Sequence, residues 1–272
     1  MTLFVISRFL NRLSVLAATA SVALMAGASH GAVLECSAKS GAYAVALLEL
    51  YTSEGCSSCP PADQWLKSLP AQGFTSERVI PLSLHVDYWN YLGWKDPFSQ
   101  RKFTLRQRRM QEINRLPTIY TPQFILNGKE FGPRGSSQYL DRYLNKINGA
   151  AARAHINLTL RRTMSGDLEV TGNAAVPDPA HRRNVDAYLV LYENRLSGAV
   201  RTGENRGRVL EHNFVAREFI GPLAITNTAG VRLDRTLRLR QDWKTADLGI
   251  AAFVQDRRNA DVLQALALPI CS

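Results

Sequence analysis

The chain has 272 residues, with 46% hydrophobic and 21% charged side chains and a formal net charge of +10. That balance excludes wholesale disorder and a multi-span membrane protein, and the length suits two modules once a leader is subtracted. The basic excess favours encounters with acidic partners, but the arginines are scattered and no aromatic-interleaved basic stripe accompanies them, so no nucleic acid is expected as a partner.

At the amino end, Arg8 and Arg12 precede an apolar stretch over residues 13–25 and the small-residue exit Ala26-Gly27-Ala28. This is the layout of a signal peptide over residues 1–28, with an apolar run shorter than the roughly 20 residues of a membrane-spanning helix. The expected location is periplasmic or secreted, with no stable membrane anchor. Residues 43–51 are apolar nearly throughout and read as a strand buried on both faces of a mostly parallel sheet. Residues 56–69 read as a helix with Trp65, Leu66 and Leu69 on one face and Pro70 as its stop, and residues 79–86 as a second buried strand. An aromatic loop follows, with Tyr88, Trp89, Tyr91 and Trp94, and then a helix over residues 98–115 with one solvated face. A strand at 120–126 is entered through Pro122, Asn127-Gly128 signals a hairpin, residues 129–131 return, and a helix at 136–147 closes an α/β unit over residues 33–150. Past a boundary near residues 149–153 the pattern changes to short runs at 156–160, 168–170, 185–192, 209–219, 236–239 and 250–254, which fit a β-sandwich over residues 151–272.

Four cysteines in an exported chain are expected to pair. Cys56-Ser57-Ser58-Cys59 falls after a buried strand and at the start of a helix, where free backbone N–H groups and the helix dipole stabilise a thiolate. Cys56 is therefore the candidate attacking sulfur and Cys59 the sulfur that resolves a mixed disulfide. A zinc site built on this pair needs a second pair of ligands, and a c-type haem needs a histidine where Pro60 stands, so neither a metal nor a cofactor is expected. A purely structural disulfide between Cys56 and Cys59 is the second reading. Cys36 and Cys271, at the two ends of the mature chain, suit a structural disulfide, for which loop-closure entropy gives on the order of 5 kcal/mol. His85 and Asp87 alternate along a strand without further ligands and read as structural.

The segments YTSEGCSSCPP (residues 51–61), HVDYWNYLGWKDPF (85–98), YTPQFILNG (120–128) and TGENRGRVLEH (202–212) resemble a family of secreted thioredoxin-like proteins, domain of unknown function 1223. The resemblance implies a thioredoxin-like fold for the first unit. It also implies that Thr121 and Pro122 form the loop that faces the cysteines and holds a substrate's backbone, and that Glu49, on the strand before the motif, relays a proton to Cys59. The expected function is an exported thiol–disulfide oxidoreductase acting on a disulfide-bearing client protein, redox partner or small molecule. The alternative is a non-catalytic exported binding module that keeps the fold and a structural disulfide.

Overall fold

From residue 35 the chain runs β1 (Glu35–Lys39), β2 (Ala46–Thr52), α1 (Pro60–Ser68), β3 (Val79–His85), α2 (Arg101–Asn114), β4 (Gln123–Leu126), β5 (Lys129–Phe131) and α3 (Ser137–Asn148). It continues through β6 (His155–Arg162), β7 (Leu168–Ala175), the short α4 (Pro179–Arg182), β8 (Val185–Glu193), β9 (Leu196–Ala199), β10 (Val209–His212) and β11 (Val215–Ala224). The last elements are β12 (Val231–Arg232), β13 (Arg235–Leu237), β14 (Leu248–Asp256) and β15 (Val262–Pro269). The structure is a computed structural model that describes residues 1–2, 35–132 and 137–271. The expected signal sequence, from residue 3 to residue 28, lies outside the described residues. No helix among the described residues is long and apolar enough to cross a membrane.

Eight strands form one mixed sheet in the order β15-β14-β8-β11-β3-β2-β4-β5. β2 and β3 are parallel and buried along their whole length, which is why both read as largely apolar runs. The expected division into separate modules at residue 150 does not describe this sheet. Val215 of β11 pairs in parallel with Ser83 of β3, the Ser83 N–H donates to the Phe214 carbonyl at 2.8 Å, and Val33–Ser272 forms one unit. An open edge on β3 would leave backbone groups unpaired, and β11 meets that edge at Ser83. The run expected at 209–219 is two strands because the chain turns at Phe214, whose φ is 58°. The Ala- and Leu-rich β15, to which no element was assigned from sequence, is the edge of this sheet.

A second sheet, β1-β6-β7-β12 with β13 also on β7, has one apolar face. Ile156, Leu158 and Leu160 of β6 share a core with Leu189 and Leu191 of β8 and with Ile250, Ala252 and Val254 of β14. The other faces of β8 and β14 present Val190, Tyr192, Ala251 and Phe253 to a different core, as the period of two requires. Cys36 on β1 and Cys271 after β15 are joined, with their Cα atoms 5.9 Å apart.

The same alternation sorts β2. Ala46, Leu48 and Leu50 pack with Leu66 and Leu69 at the α1 end and with Leu140 and Leu144 of α3, whereas Leu47 and Tyr51 pack with Phe103 and Met110 of α2. Glu49 shares the α2 side, where its two oxygens accept from Arg106 Nε at 2.5 Å and Nη2 at 3.0 Å. The guanidinium lies 5.1–5.2 Å from the ring centres of Tyr188, Phe219 and Phe253 and also donates to Gln255 Oε1 at 3.1 Å, so it ties α2 to β8, β11 and β14. The Glu49 side chain is 0% exposed and that of Arg106 is 8% exposed, so solvent does not screen the pair. Arg106→Leu leaves a buried carboxylate without its partner and is expected to destabilise the fold by about 3–5 kcal/mol. Replacing Glu49 by Leu as well is expected to recover much of that loss; urea unfolding of the two variants checks it.

Candidate functional site

Thr52 ends β2, and residues 53–59 turn the chain into α1. The helix begins at Pro60, later than expected, because Pro60 and Pro61 suit the first two helical positions, where no N–H is needed. Cys59 is the cap residue, its carbonyl accepting from the N–H groups of Ala62 at 2.9 Å and Asp63 at 3.1 Å. Cys56 stands one turn upstream and is bonded to Cys59, with Cα atoms 5.4 Å apart. Both cysteines are 0% exposed, under the exposed Ser57 and Ser58. In the oxidised form Cys56, the expected attacking sulfur, is as buried as Cys59.

Part of the cover comes from the loop between β9 and β10. Asn205 Nδ2 donates to the carbonyls of Glu54 and Cys56, each at 2.9 Å, and Glu204 Oε2 accepts the Ser57 N–H at 2.9 Å. That N–H holds the Glu204 carboxyl below its ordinary pKa.

Beside the cysteine loop lies a cluster of buried ionisable groups. Glu54 accepts from Trp94 Nε1 at 2.8 Å and from His212 Nε2 at 3.1 Å, and its own N–H donates to Asp96 Oδ2 at 2.8 Å. Asp96 also accepts from His85 Nδ1 at 2.7 Å. Asp63, one turn into α1, accepts from Thr52 Oγ1 at 3.0 Å and faces His212 Nδ1 at 3.8 Å. Thr52 and His85 are register partners on β2 and β3, which sets them side by side. Burial works against ionising Asp96, but the charge and hydrogen bond of His85 outweigh it and hold its pKa below the usual value. Burial likewise opposes a charge on His212, yet the nearby Asp63 carboxylate and the hydrogen bond and charge of Glu54 raise its pKa to about 9.

The Thr121-Pro122 peptide is cis and directly precedes β4, whose Gln123 pairs with Tyr51 near the end of β2. Thr121 Oγ1 accepts from Trp89 Nε1 at 2.7 Å, and a Cβ placed on Gly55 would lie 3.1 Å from the Trp89 Cβ. Trp89 thus joins the Pro122 loop to the cysteine loop. Of the residues singled out from sequence, Cys56, Cys59, Thr121 and Pro122 gather at this end of β2. Cys36 and Cys271 form the separate disulfide between β1 and the chain's end. Glu49 does not belong to the site. It is on the face of β2 opposite α1, committed to Arg106, and its proton-relay role is withdrawn.

Sequence reasoning missed Glu54, Asp63, Asp96, Asn205 and His212. Glu54, two residues before Cys56, and Asp63, an acid one helical turn after Cys59, carried a local signal; Asp96, Asn205 and His212 are joined to them by tertiary contacts alone. Asn205→Ala would leave the buried Glu54 and Cys56 carbonyls without their donor, a loss of about 1–3 kcal/mol. The variant is expected to unfold at lower urea and its Cys56–Cys59 bond to be reduced faster by dithiothreitol, as read by timed alkylation and mass spectrometry.

Two solved structures resemble this one. The protein AGR_C_4864 from Agrobacterium tumefaciens matches with a TM-score of 0.57 at 24% identity, covering 85% of this chain and 97% of its own. HBP35 of Porphyromonas gingivalis matches with a TM-score of 0.63 at 16% identity, covering 85% of this chain and 76% of its own. At these identities the likeness is one of fold. No curated protein matches the chain. A family described as "Protein of unknown function (DUF1223)" matches residues 47–255, which is most of the chain, and the protein belongs to that family.

Proposed function

We infer that the protein is an exported thiol–disulfide oxidoreductase whose working pair is Cys56 and Cys59, carried on a thioredoxin-like arrangement of β2, α1, β3 and the β4–β5 hairpin, with a sandwich-like β region joined to it. The observation that carries this reading is the Cys56–Cys59 disulfide closing the turn from β2 into α1, with the Thr121-Pro122 loop joined to that turn through Trp89. In the reduced protein, the Cys56 thiolate attacks one sulfur of a client disulfide, forming a mixed disulfide and releasing the client's other sulfur as a thiolate. Cys59 then gives up its proton and attacks the Cys56 sulfur, which releases the client dithiol and leaves Cys56–Cys59 oxidised. The reverse sequence oxidises a client. Proline at 122 offers no N–H to β4's start, and with Thr121 it is assigned to positioning the client chain. An amino terminus near Ser29 or Val33 in protein recovered from the exported fraction would support export; intact Met1 in a membrane fraction would remove it.

The burial of both cysteines favours a second reading, a structural disulfide in a binding module. Redox poise separates the two. A working couple equilibrates with a glutathione buffer, whereas structural disulfides have potentials below about −300 mV and resist it. Under the redox reading, Cys59→Ser accumulates mixed disulfides with exported proteins on non-reducing gels, and Cys56→Ser accumulates none. A wild-type disulfide that stays intact in reduced glutathione, with no trapped species in Cys59→Ser, would leave the binding module.

A further inference from the structure

Beneath the cysteine turn, three side chains from three distant segments each have one polar atom held by a group outside the trio. His85 gives its Nδ1 proton to Asp96 at 2.7 Å, His212 gives its Nε2 proton to Glu54 at 3.1 Å, and Asp63 Oδ2 accepts from Thr52 Oγ1 at 3.0 Å. The remaining atoms, His85 Nε2 and His212 Nδ1, are buried without a hydrogen-bond partner among the described residues. One ligand atom from each of His85, His212 and Asp63 falls within 4.8 Å of the other two, and His212 Nδ1 and Asp63 Oδ1 are 3.8 Å apart, too far for a hydrogen bond. A buried nitrogen without a partner costs free energy, and two of them in one cluster with a carboxylate call for a shared occupant.

Charge leads to the same place. Glu54, Asp63 and Asp96 are at most 5% exposed, and none of them has a lysine or arginine partner within ion-pair distance among the described residues. Protonated imidazoles offset at most two of these three charges, and with the rings 4.8 Å apart the two cations repel. One divalent cation between them supplies the same compensation from a single centre.

The geometry points to a transition-metal site ligated by His85 Nε2, His212 Nδ1 and an Asp63 carboxylate oxygen, with Asp96 and Glu54 orienting the two imidazoles. A carboxylate on the far nitrogen of a ligating histidine is the usual outer support of such sites, since it fixes the tautomer and raises the ligand's basicity. Two nitrogens and one oxygen suit zinc or another first-row ion, whereas calcium and magnesium take oxygen sets. Ligand atoms around a tetrahedral zinc ion are about 3.4 Å apart, so binding draws these side chains inward by roughly an ångström.

This site stands independently of thiol chemistry, because the sulfurs are locked in disulfides and cannot act as ligands in the oxidised protein. The test uses the full chain, oxidised and stripped with chelator, titrated with zinc chloride in a calorimeter. The expected result is saturable uptake of one zinc per chain, abolished in Asp63→Asn and weakened about 10–100-fold in Asp96→Asn. Because either variant can fail to fold, the deciding readout is on the wild type: in long-range ¹H–¹⁵N spectra, zinc should shift Nε2 of His85 and Nδ1 of His212 and leave His155 and His181 in place. Absence of saturable uptake, shifts confined to other histidines, or undiminished uptake by a folded Asp63→Asn would overturn the proposal.

Discussion

Glu54 is where the parts of this protein meet. Its carboxylate accepts from Trp94 and His212, its N–H donates to Asp96, and its carbonyl accepts from Asn205, so a single fully buried residue engages the aromatic loop, β10 and the loop before it. Each of these buried polar groups costs free energy when left unpaired, so the loss of any one partner is destabilising. Even the absence of a side chain at residue 198 follows, since a Cβ on Gly198 would lie 2.1 Å from Glu54 Oε1. Two residues further along, Cys56 inherits its place from this anchor.

That anchor has its partners only because the sheet does not stop at β3. When β11 pairs with β3, the hairpin β9–β10 is carried to the end of β2, and His212, the last residue of β10, comes within ring contact of His85, the last residue of β3. Phe98 packs edge-on to both imidazoles and closes that side. On the opposite face of β2 the Glu49–Arg106 pair does for α2 what Glu54 does for the cysteine turn, tying an element of the first half to strands of the second. The two ionic centres lie on different faces, so the loss of one need not disturb the hydrogen bonds of the other.

A cysteine pair covered in its oxidised form has a chemical consequence. An approaching sulfur must displace the Glu204–Ser57 contact or enter over Ser57 and Ser58, so the loop between β9 and β10 governs access to the bond as well as its surroundings. Glu204 is exposed and held by one backbone N–H, a weak tether compared with the buried bonds of Asn205 beside it. The cover is therefore graded, loose at its outer edge and firm against the cysteine carbonyl.

Local chemistry was enough to read much of the first half from sequence. Largely apolar runs mark β2 and β3, Asn127-Gly128 marks the β4–β5 hairpin, and Cys56 and Cys59 stand out by spacing, because each of these signals is carried by neighbours in the chain. Helix α1 begins four residues later than the expected 56, because Pro60 and Pro61 occupy its first turn. What no local pattern carried was partnership: that β11 would pair with β3, that Glu49 would face Arg106 and not Cys59, and that His85 would find Asp96 and His212. A strand shows that it has two faces but not which helix will cover each, and a buried polar side chain reveals its need for a partner without revealing which distant segment will supply it. Those assignments follow from burying all the apolar strand faces at once, and only the tertiary structure decided them.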